Sequence, residues 1–143
     1  MISRCVKNNL NQLDQEKIEN RTTSSKIRHW RDLEIWQLSH QIVLDLYQLL
    51  ANFPKEEKYS LCDQIKRAAV SVPANIVEGY SRKSTKDFVR FCYISRSSLE
   101  EVRYYLILAL DLEFIDKDTY LSLEKKLTSI SVKLNNFIHS LLS

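Results

Sequence analysis

From Asp32 onward, apolar residues recur at steps of three and four positions, and this spacing predicts amphipathic α-helices. Four such stretches follow one another, separated by short polar links. The first is predicted to end at Phe53, because Pro54 disfavours a helical conformation at the residue before it. Its core-facing positions are predicted to be Trp36, Val43, Leu46, Tyr47, Leu50 and Phe53.

The second stretch predicts one helix from near Glu56 to near Gly79. Pro73 lies inside it and removes one backbone hydrogen bond, which predicts a bend. The apolar seam continues on both sides of the proline, so the helix is predicted to continue as well. Gly79 is the single glycine of the chain and is predicted to end the helix in a left-handed conformation. The seam positions are Cys62, Ile65, Ala69, Val72 and Ile76.

Two polar residues mark the starts of the last two helices. Ser84 and Asp87 have the spacing of a capping box, and Asp116 is a typical N-cap. The third helix is predicted to span about 28 residues, and the fourth keeps a heptad repeat to the chain end. Four amphipathic helices with short links predict an all-α, antiparallel up-and-down four-helix bundle over residues 29–143. The seam positions are Phe88, Cys92, Ser95, Leu99, Val102, Leu106 and Ala109, then Tyr120, Leu123, Leu127, Ile130, Leu134, Phe137 and Leu141.

Composition excludes several other classes of protein. One glycine and two prolines are too few for hairpin-rich β folds or glycine-rich phosphate loops. No apolar run is long enough to span a bilayer or to form a signal peptide, so we expect a cytoplasmic protein without a membrane partner. The cysteines, Cys5, Cys62 and Cys92, form no C-x-x-C motif, which argues against a disulfide framework or a zinc site. With no catalytic motif either, we expect a non-enzymatic protein without metal or cofactor.

Charge is unevenly distributed along the chain. Residues 1–31 hold seven Lys or Arg against three Asp or Glu, and residues 1–28 are predicted to be a flexible basic arm. Residues 66–96 hold seven basic residues against two acidic ones. Clustered cations bind phosphates, although a solvated basic helix start that only improves solubility is the alternative. The predicted nucleic-acid-binding residues are Lys66, Arg67, Arg82, Lys83, Lys86 and Arg90. Arg96 and Arg103 flank the core and are expected to form structural salt bridges instead.

The second helix also has an unusual outer face. Its segment AAVSVPANIV, residues 68–77, carries no charge in ten residues, and small side chains predominate opposite the seam. Such a face predicts a subunit interface, because small residues allow helices to approach closely. The alternative is a central helix buried on both sides within one chain. The predicted interface residues are Arg67, Ser71, Ala74 and Glu78, with Arg67 and Glu78 pairing across it.

Four segments resemble a known family. They are YSLCDQIKRAAVSVPANIVEGY at residues 59–80, DLEIW at 32–36, FPKEE at 53–57 and DFVRFCYISRSSLEE at 87–101. Together they resemble the bacterial four-helix-bundle proteins found as open reading frames in 23S rRNA intervening sequences, once labelled ribosomal proteins. The resemblance covers about residues 28–142. The positions that match the family's marked residues are Arg67, Pro73, Asn75, Glu78, Gly79 and Arg96; Arg103 departs from it, since an acidic residue is expected there.

The resemblance implies a four-helix bundle that assembles into a homo-oligomeric ring, with a pentamer favoured. The sequence is also similar to the accessory variability determinant of diversity-generating retroelements, which binds nucleic acid and a reverse transcriptase. We therefore expect an oligomeric, non-enzymatic bundle that binds nucleic acid non-specifically. A reverse transcriptase or another protein is the kind of protein partner that the resemblance implies. The alternative is a structural protein–protein adaptor with no nucleic-acid role.

Overall fold

The computed structural model describes residues 27–143, which form four α-helices. Each helix packs against the next one along the chain, and the fourth closes against the first. This arrangement confirms the predicted all-α class and four antiparallel helices. The helices are α1 (Glu34–Leu50), α2 (Leu61–Tyr80), α3 (Thr85–Asp111) and α4 (Lys117–Leu142).

The predicted N-terminal arm lies almost entirely in residues 1–26, outside the described residues. The described chain begins at Ile27, a buried residue, and passes through a short 3-10 turn, Trp30–Asp32, into α1. None of the helices within residues 27–143 is long and apolar enough to cross a membrane.

The predicted caps of α3 and α4 are both present. The Ser84 hydroxyl accepts a hydrogen bond from the backbone N–H of Asp87 at 3.1 Å. The Asp116 carboxylate accepts one from the backbone N–H of Thr119 at 2.7 Å, and this bond lowers the pKa of Asp116. Each side chain thus satisfies an N–H group that the first helical turn leaves without a partner.

The predicted start of α2 near Glu56 is wrong. Lys55–Glu57 forms a separate 3-10 turn, and α2 begins at Leu61. The Glu57 carboxylate accepts hydrogen bonds from the Ser60 hydroxyl at 2.7 Å and from the Leu61 N–H at 3.4 Å. Glu57 therefore acts from outside the helix as its cap.

The core consists of two apolar clusters stacked along the bundle. The lower core is centred on Leu46, Ile65, Leu106 and Leu127. The upper core lies beside the connection between α2 and α3 and is built around Ile76, Phe88, Leu134 and Ile138. Tyr47, predicted to face the core, is instead 46% exposed on α1.

Serines at the contact between the helices tie α2 to α3 between the two cores. Ser95 of α3 donates a hydrogen bond to the carbonyl of Val72 at 2.8 Å, next to Pro73. The hydroxyls of Ser71 and Ser98 lie 2.8 Å apart across the same pair of helices. These small side chains thus allow the two helices to approach closely, and their hydroxyl groups are hydrogen-bonded at the contact. The helix continues through Pro73, as predicted.

Gly79 does not have the predicted left-handed conformation. It is a buried residue of α2, which runs to Tyr80 and closes at Ser81 with a φ of −75°. A Cβ atom on Gly79 would lie 2.7 Å from Cδ2 of Phe88 and 2.8 Å from Cβ of Phe91. The glycine is therefore required for the close packing of α3 against α2 rather than for a turn.

The left-handed position lies elsewhere, at the end of α3. Among residues 27–143, Glu113 is the one non-glycine residue with a positive φ, 62°. The N–H of Phe114 donates to the carbonyl of Ala109 at 2.9 Å, and the N–H of Glu113 donates to that of Leu110 at 3.0 Å. These two bonds form a Schellman motif, in which glycine is the usual residue at the position that Glu113 occupies.

Gly79→Ala should lower the free energy of unfolding by about 1–3 kcal/mol, because the new methyl group overpacks the contact with Phe88 and Phe91. Helix propensity alone predicts the opposite sign, a gain of about 1 kcal/mol. Urea denaturation followed by circular dichroism decides between them, and a more stable variant would contradict the packing role.

Glu113→Gly should raise the free energy of unfolding by about 1 kcal/mol, since glycine adopts the left-handed conformation without a Cβ clash. The matched control is Asp111→Gly, two residues earlier in the last turn of α3, where the backbone is helical and glycine should instead lower the free energy of unfolding by a few tenths of a kcal/mol. Urea denaturation measures both variants. Equal changes in the free energy of unfolding, in the same direction, would refute the left-handed conformation assigned to Glu113.

Candidate nucleic-acid interface

Four of the six predicted binding residues lie together at one end of the bundle. Arg82 and Lys83 belong to the link between α2 and α3, and Lys86 and Arg90 lie in the first two turns of α3. All four are exposed, and we call them the basic connection. The N-terminus of α3 adds the positive end of its helix dipole at the same place.

Phe91 holds the two arginines of the basic connection. The guanidinium carbons of Arg82 and Arg90 lie 4.7 Å and 4.6 Å from the centroid of the Phe91 ring, within cation–π distance. Phe91 itself is buried, and its Cβ atom lies against Gly79. Two cations, one from the link and one from α3, are therefore placed over one fixed ring.

Two carboxylates further restrict these arginines. Glu78 of α2 pairs with Arg82, and an oxygen of Asp87 lies 3.9 Å from Nε of Arg90. Both pairs are largely exposed, so each is worth little for stability. They orient the guanidinium groups without cancelling the charge of the basic connection, which has twice as many cations as these carboxylates.

The other two predicted binding residues are not brought into this cluster. Lys66 and Arg67 lie in the first two turns of α2, and the rest of the helix separates them from Arg82 by about 20 Å at 1.5 Å per residue. Nζ of Lys66 lies 5.0 Å from the centroid of the Tyr47 ring. Arg67 is exposed beside a shallow groove that Tyr47 and Val70 also line. Nucleic-acid binding by this second pair remains a separate prediction.

The outer face of α2 is exposed to solvent in this chain. Val70 is 41% exposed and Ala74 is exposed, which disagrees with a central helix buried on both sides by its own bundle. Of the predicted interface residues, Arg67, Ala74 and Glu78 are exposed.

Ser71, the fourth predicted interface residue, is half-buried. Its hydroxyl contacts Ser98, and Nδ2 of Asn75 donates to the hydroxyl and carbonyl oxygens of Ser71 at 2.9 Å and 2.7 Å. Ser71 and Asn75 therefore stabilise the contact between α2 and α3. The remaining three residues form a surface that is available for a second chain.

Arg103 forms the structural salt bridge expected of it. Its guanidinium group donates to Glu124 of α4 at 2.7 Å and to Glu100 at 3.0 Å. The bond to Glu124 raises the pKa of Arg103. Arg103 thus links α3 to α4, and its departure from the family pattern has a structural explanation.

Arg96 has different partners from those expected. Among the described residues no carboxylate pairs with it; its guanidinium group donates to Oδ1 of Asn135 at 3.2 Å and lies 4.7 Å from the centroid of the Tyr93 ring. Tyr93 is 39% exposed, whereas Tyr80, the other tyrosine near the basic residues, is only 3% exposed. Of these two tyrosines, only Tyr93 can contact a ligand in solution.

The cysteines of the described chain have a structural environment. Cys62 and Cys92 are buried and free, and burial raises the pKa of Cys92 to about 12, so its thiol is protonated at neutral pH. Cys5 lies outside the described residues. Within residues 27–143, no group of three or more His, Cys, Asp and Glu side chains is placed to hold a metal ion.

Sequence reasoning missed Phe91. Phe91 lies between Arg90 and Cys92, and of these residues only Cys92 is on the predicted seam. The sequence therefore shows that Phe91 is next to a basic residue. Its contact with Arg82, nine residues earlier, depends on the path of the link between the helices. That contact cannot be inferred from helical periodicity.

Comparisons with known proteins agree with the fold. The sequence profile of the 23S rRNA-intervening sequence protein family matches residues 31–136. The chain is also similar to a crystal structure from Bacteroides thetaiotaomicron, described as a protein of unknown function from the S23 ribosomal protein family. The two share 27% sequence identity with a TM-score of 0.65, over 73% of this chain and 97% of that one. Among curated proteins, none matches this chain.

Proposed function

Since the chain belongs to the 23S rRNA-intervening sequence protein family, we propose that it is a non-enzymatic, self-associating four-helix bundle that binds nucleic acid without sequence preference. The basic connection is the binding surface. The observation that carries the proposal is the placement of Arg82 and Arg90 over the ring of Phe91, with Lys83 and Lys86 exposed beside them.

Ordered cations suit a phosphate backbone. Guanidinium groups donate several hydrogen bonds in a fixed plane, and holding them over one ring reduces the entropy lost on binding. Contacts to phosphates carry no base information, so such a surface binds without strong sequence preference. The affinity falls as salt rises, because each neutralised phosphate releases counterions.

Replacing all four residues of the basic connection with glutamate should weaken nucleic-acid binding about 100-fold or more and make its salt dependence shallower. The measurement is fluorescence anisotropy with labelled RNA and DNA oligonucleotides at about 50–200 mM NaCl. The four residues are exposed, so the fold should be retained. The variant is Arg82→Glu, Lys83→Glu, Lys86→Glu and Arg90→Glu together.

The matched control reverses four exposed lysines near the opposite end of the bundle and changes the net charge equally. It should bind almost as well as the native chain. Equal losses in both variants would mean that net charge, rather than this surface, governs binding, and unchanged binding by the first variant would exclude the basic connection. The control residues are Lys55, Lys58, Lys117 and Lys125.

Self-association is proposed to use the outer face of α2. Its uncharged segment leaves the side chains of Val70 and Ala74 exposed to water in the single chain. A second chain that covers them would remove this apolar surface from solvent. A homo-oligomeric ring, with a pentamer favoured by the family resemblance, would repeat the basic connection around an axis. Repetition raises the overall affinity for one long nucleic acid through avidity.

Ala74→Arg should convert the oligomer to a monomer, because a long charged side chain would be buried at the centre of the contact. Light scattering measures the result against the monomer mass of 16.9 kDa. The control is Asn136→Arg, which adds the same charge to an exposed position of α4 and should leave the mass unchanged. A native chain that is itself monomeric would refute self-association.

A protein–protein adaptor is the second candidate function. The exposed apolar Val70 on the outer face of α2 favours it, since a protein partner can cover the same surface. A reverse transcriptase is one such partner under the resemblance. This candidate replaces the first if the native chain retains no nucleic acid in the anisotropy measurement.

A further inference from the structure

Tyr93 lies in line with the cations of the basic connection. Residues 86, 90, 93 and 97 share one side of α3 at steps of three and four, and all four are exposed. The distance along the helix from Lys86 to Tyr93 is about 10 Å. An aromatic residue that is 39% exposed therefore follows Lys86 and Arg90 on the same outward face.

Arg96 holds the Tyr93 ring in place. Its guanidinium carbon lies 4.7 Å from the ring centroid, and the same group donates to Asn135 of α4. The arginine is thus anchored across two helices while it stacks on the ring. Among residues 27–143 no carboxylate neutralises it, so Arg96 also adds a positive charge beside the ring.

A second exposed tyrosine on α3 has the opposite surroundings. Tyr104 is 59% exposed, and its nearest ring is that of Tyr105, with the centroids 5.7 Å apart. It follows two exposed carboxylates, Glu100 and Glu101, which would repel a phosphate backbone. Of these two tyrosines, only Tyr93 combines an accessible ring with neighbouring cations.

We propose that Tyr93 is a stacking platform for an unpaired base, and that the protein therefore prefers single-stranded to double-stranded nucleic acid. The inference rests on the proposed function, since the cations that hold the backbone are those of the basic connection. Aromatic side chains stack on bases of any sequence, but only on bases whose faces are open. In a duplex those faces are covered by the neighbouring base pairs.

The test uses the full chain and three labelled probes: a single-stranded thymidine oligonucleotide of about 12 nucleotides, an abasic strand with the same backbone, and a duplex of the same length. The native chain should bind the thymidine strand most tightly. Tyr93→Leu should weaken that binding about 5- to 100-fold and leave the other two affinities unchanged. The salt slope should stay constant, because no charge is altered.

Two further variants separate stacking from structure. Tyr93→Phe keeps the ring and should retain the preference for the thymidine strand. Tyr104→Leu removes the other exposed tyrosine and should bind all three probes as the native chain does. Thermal unfolding checks that each variant is folded.

The inference fails if the native chain binds the abasic strand as tightly as the thymidine strand, a comparison that needs no variant. It also fails if Tyr93→Leu weakens binding to all three probes equally, which would indicate a structural role. In both cases the basic connection would remain the binding surface. Failure of the proposed function looks different, because the native chain would then bind none of the probes.

Discussion

The close approach of α2 to α3 depends on small side chains where the two helices meet. Gly79 lies against Phe88 and Phe91. Ser71, Ser95 and Ser98 lie at the same helix contact, between the two apolar cores. This contact places Phe91 directly beneath the link between the helices. An arginine of the link and an arginine of α3 can then stack on the same ring. Packing inside the bundle thereby sets the arrangement of charge on its surface.

Local sequence signals predicted much of the fold, because they depend on residues a few positions apart. Ser84 and Asp116 cap the helices they precede, and the apolar periodicity placed the core of α3 and α4 correctly at most positions. The glycine was misread for the opposite reason. Its role is determined by Phe88 and Phe91, which reach it only through the tertiary contact. The left-handed position is occupied by Glu113. Glutamate does not favour a positive φ, so no sequence signal marked this position.

The candidate site shows the same division between local and long-range information. The four residues of the basic connection lie within nine positions of one another, so their clustering followed from the sequence. Lys66 and Arg67 were predicted to belong to the same site. They lie near the start of α2, however, and the length of that helix separates them from the basic connection. The different surroundings of Tyr93 and Tyr104 depend on which side chains from α3 and α4 reach each ring, and the contact of Arg96 with Asn135 needs the packed structure.

The contact of Gly79 with two phenylalanines has an evolutionary consequence. In a relative with any larger residue in place of Gly79, a smaller side chain in place of Phe88 would remove only the contact with the Phe88 ring. The Cβ of Phe91, an atom that every residue except glycine carries, would still lie 2.8 Å from the new atom, so α3 would have to move away from α2. That movement would also carry the Phe91 ring away from Arg82. Substitutions at a buried glycine should therefore be accompanied by changes among exposed arginines, linking the history of the core to that of the surface.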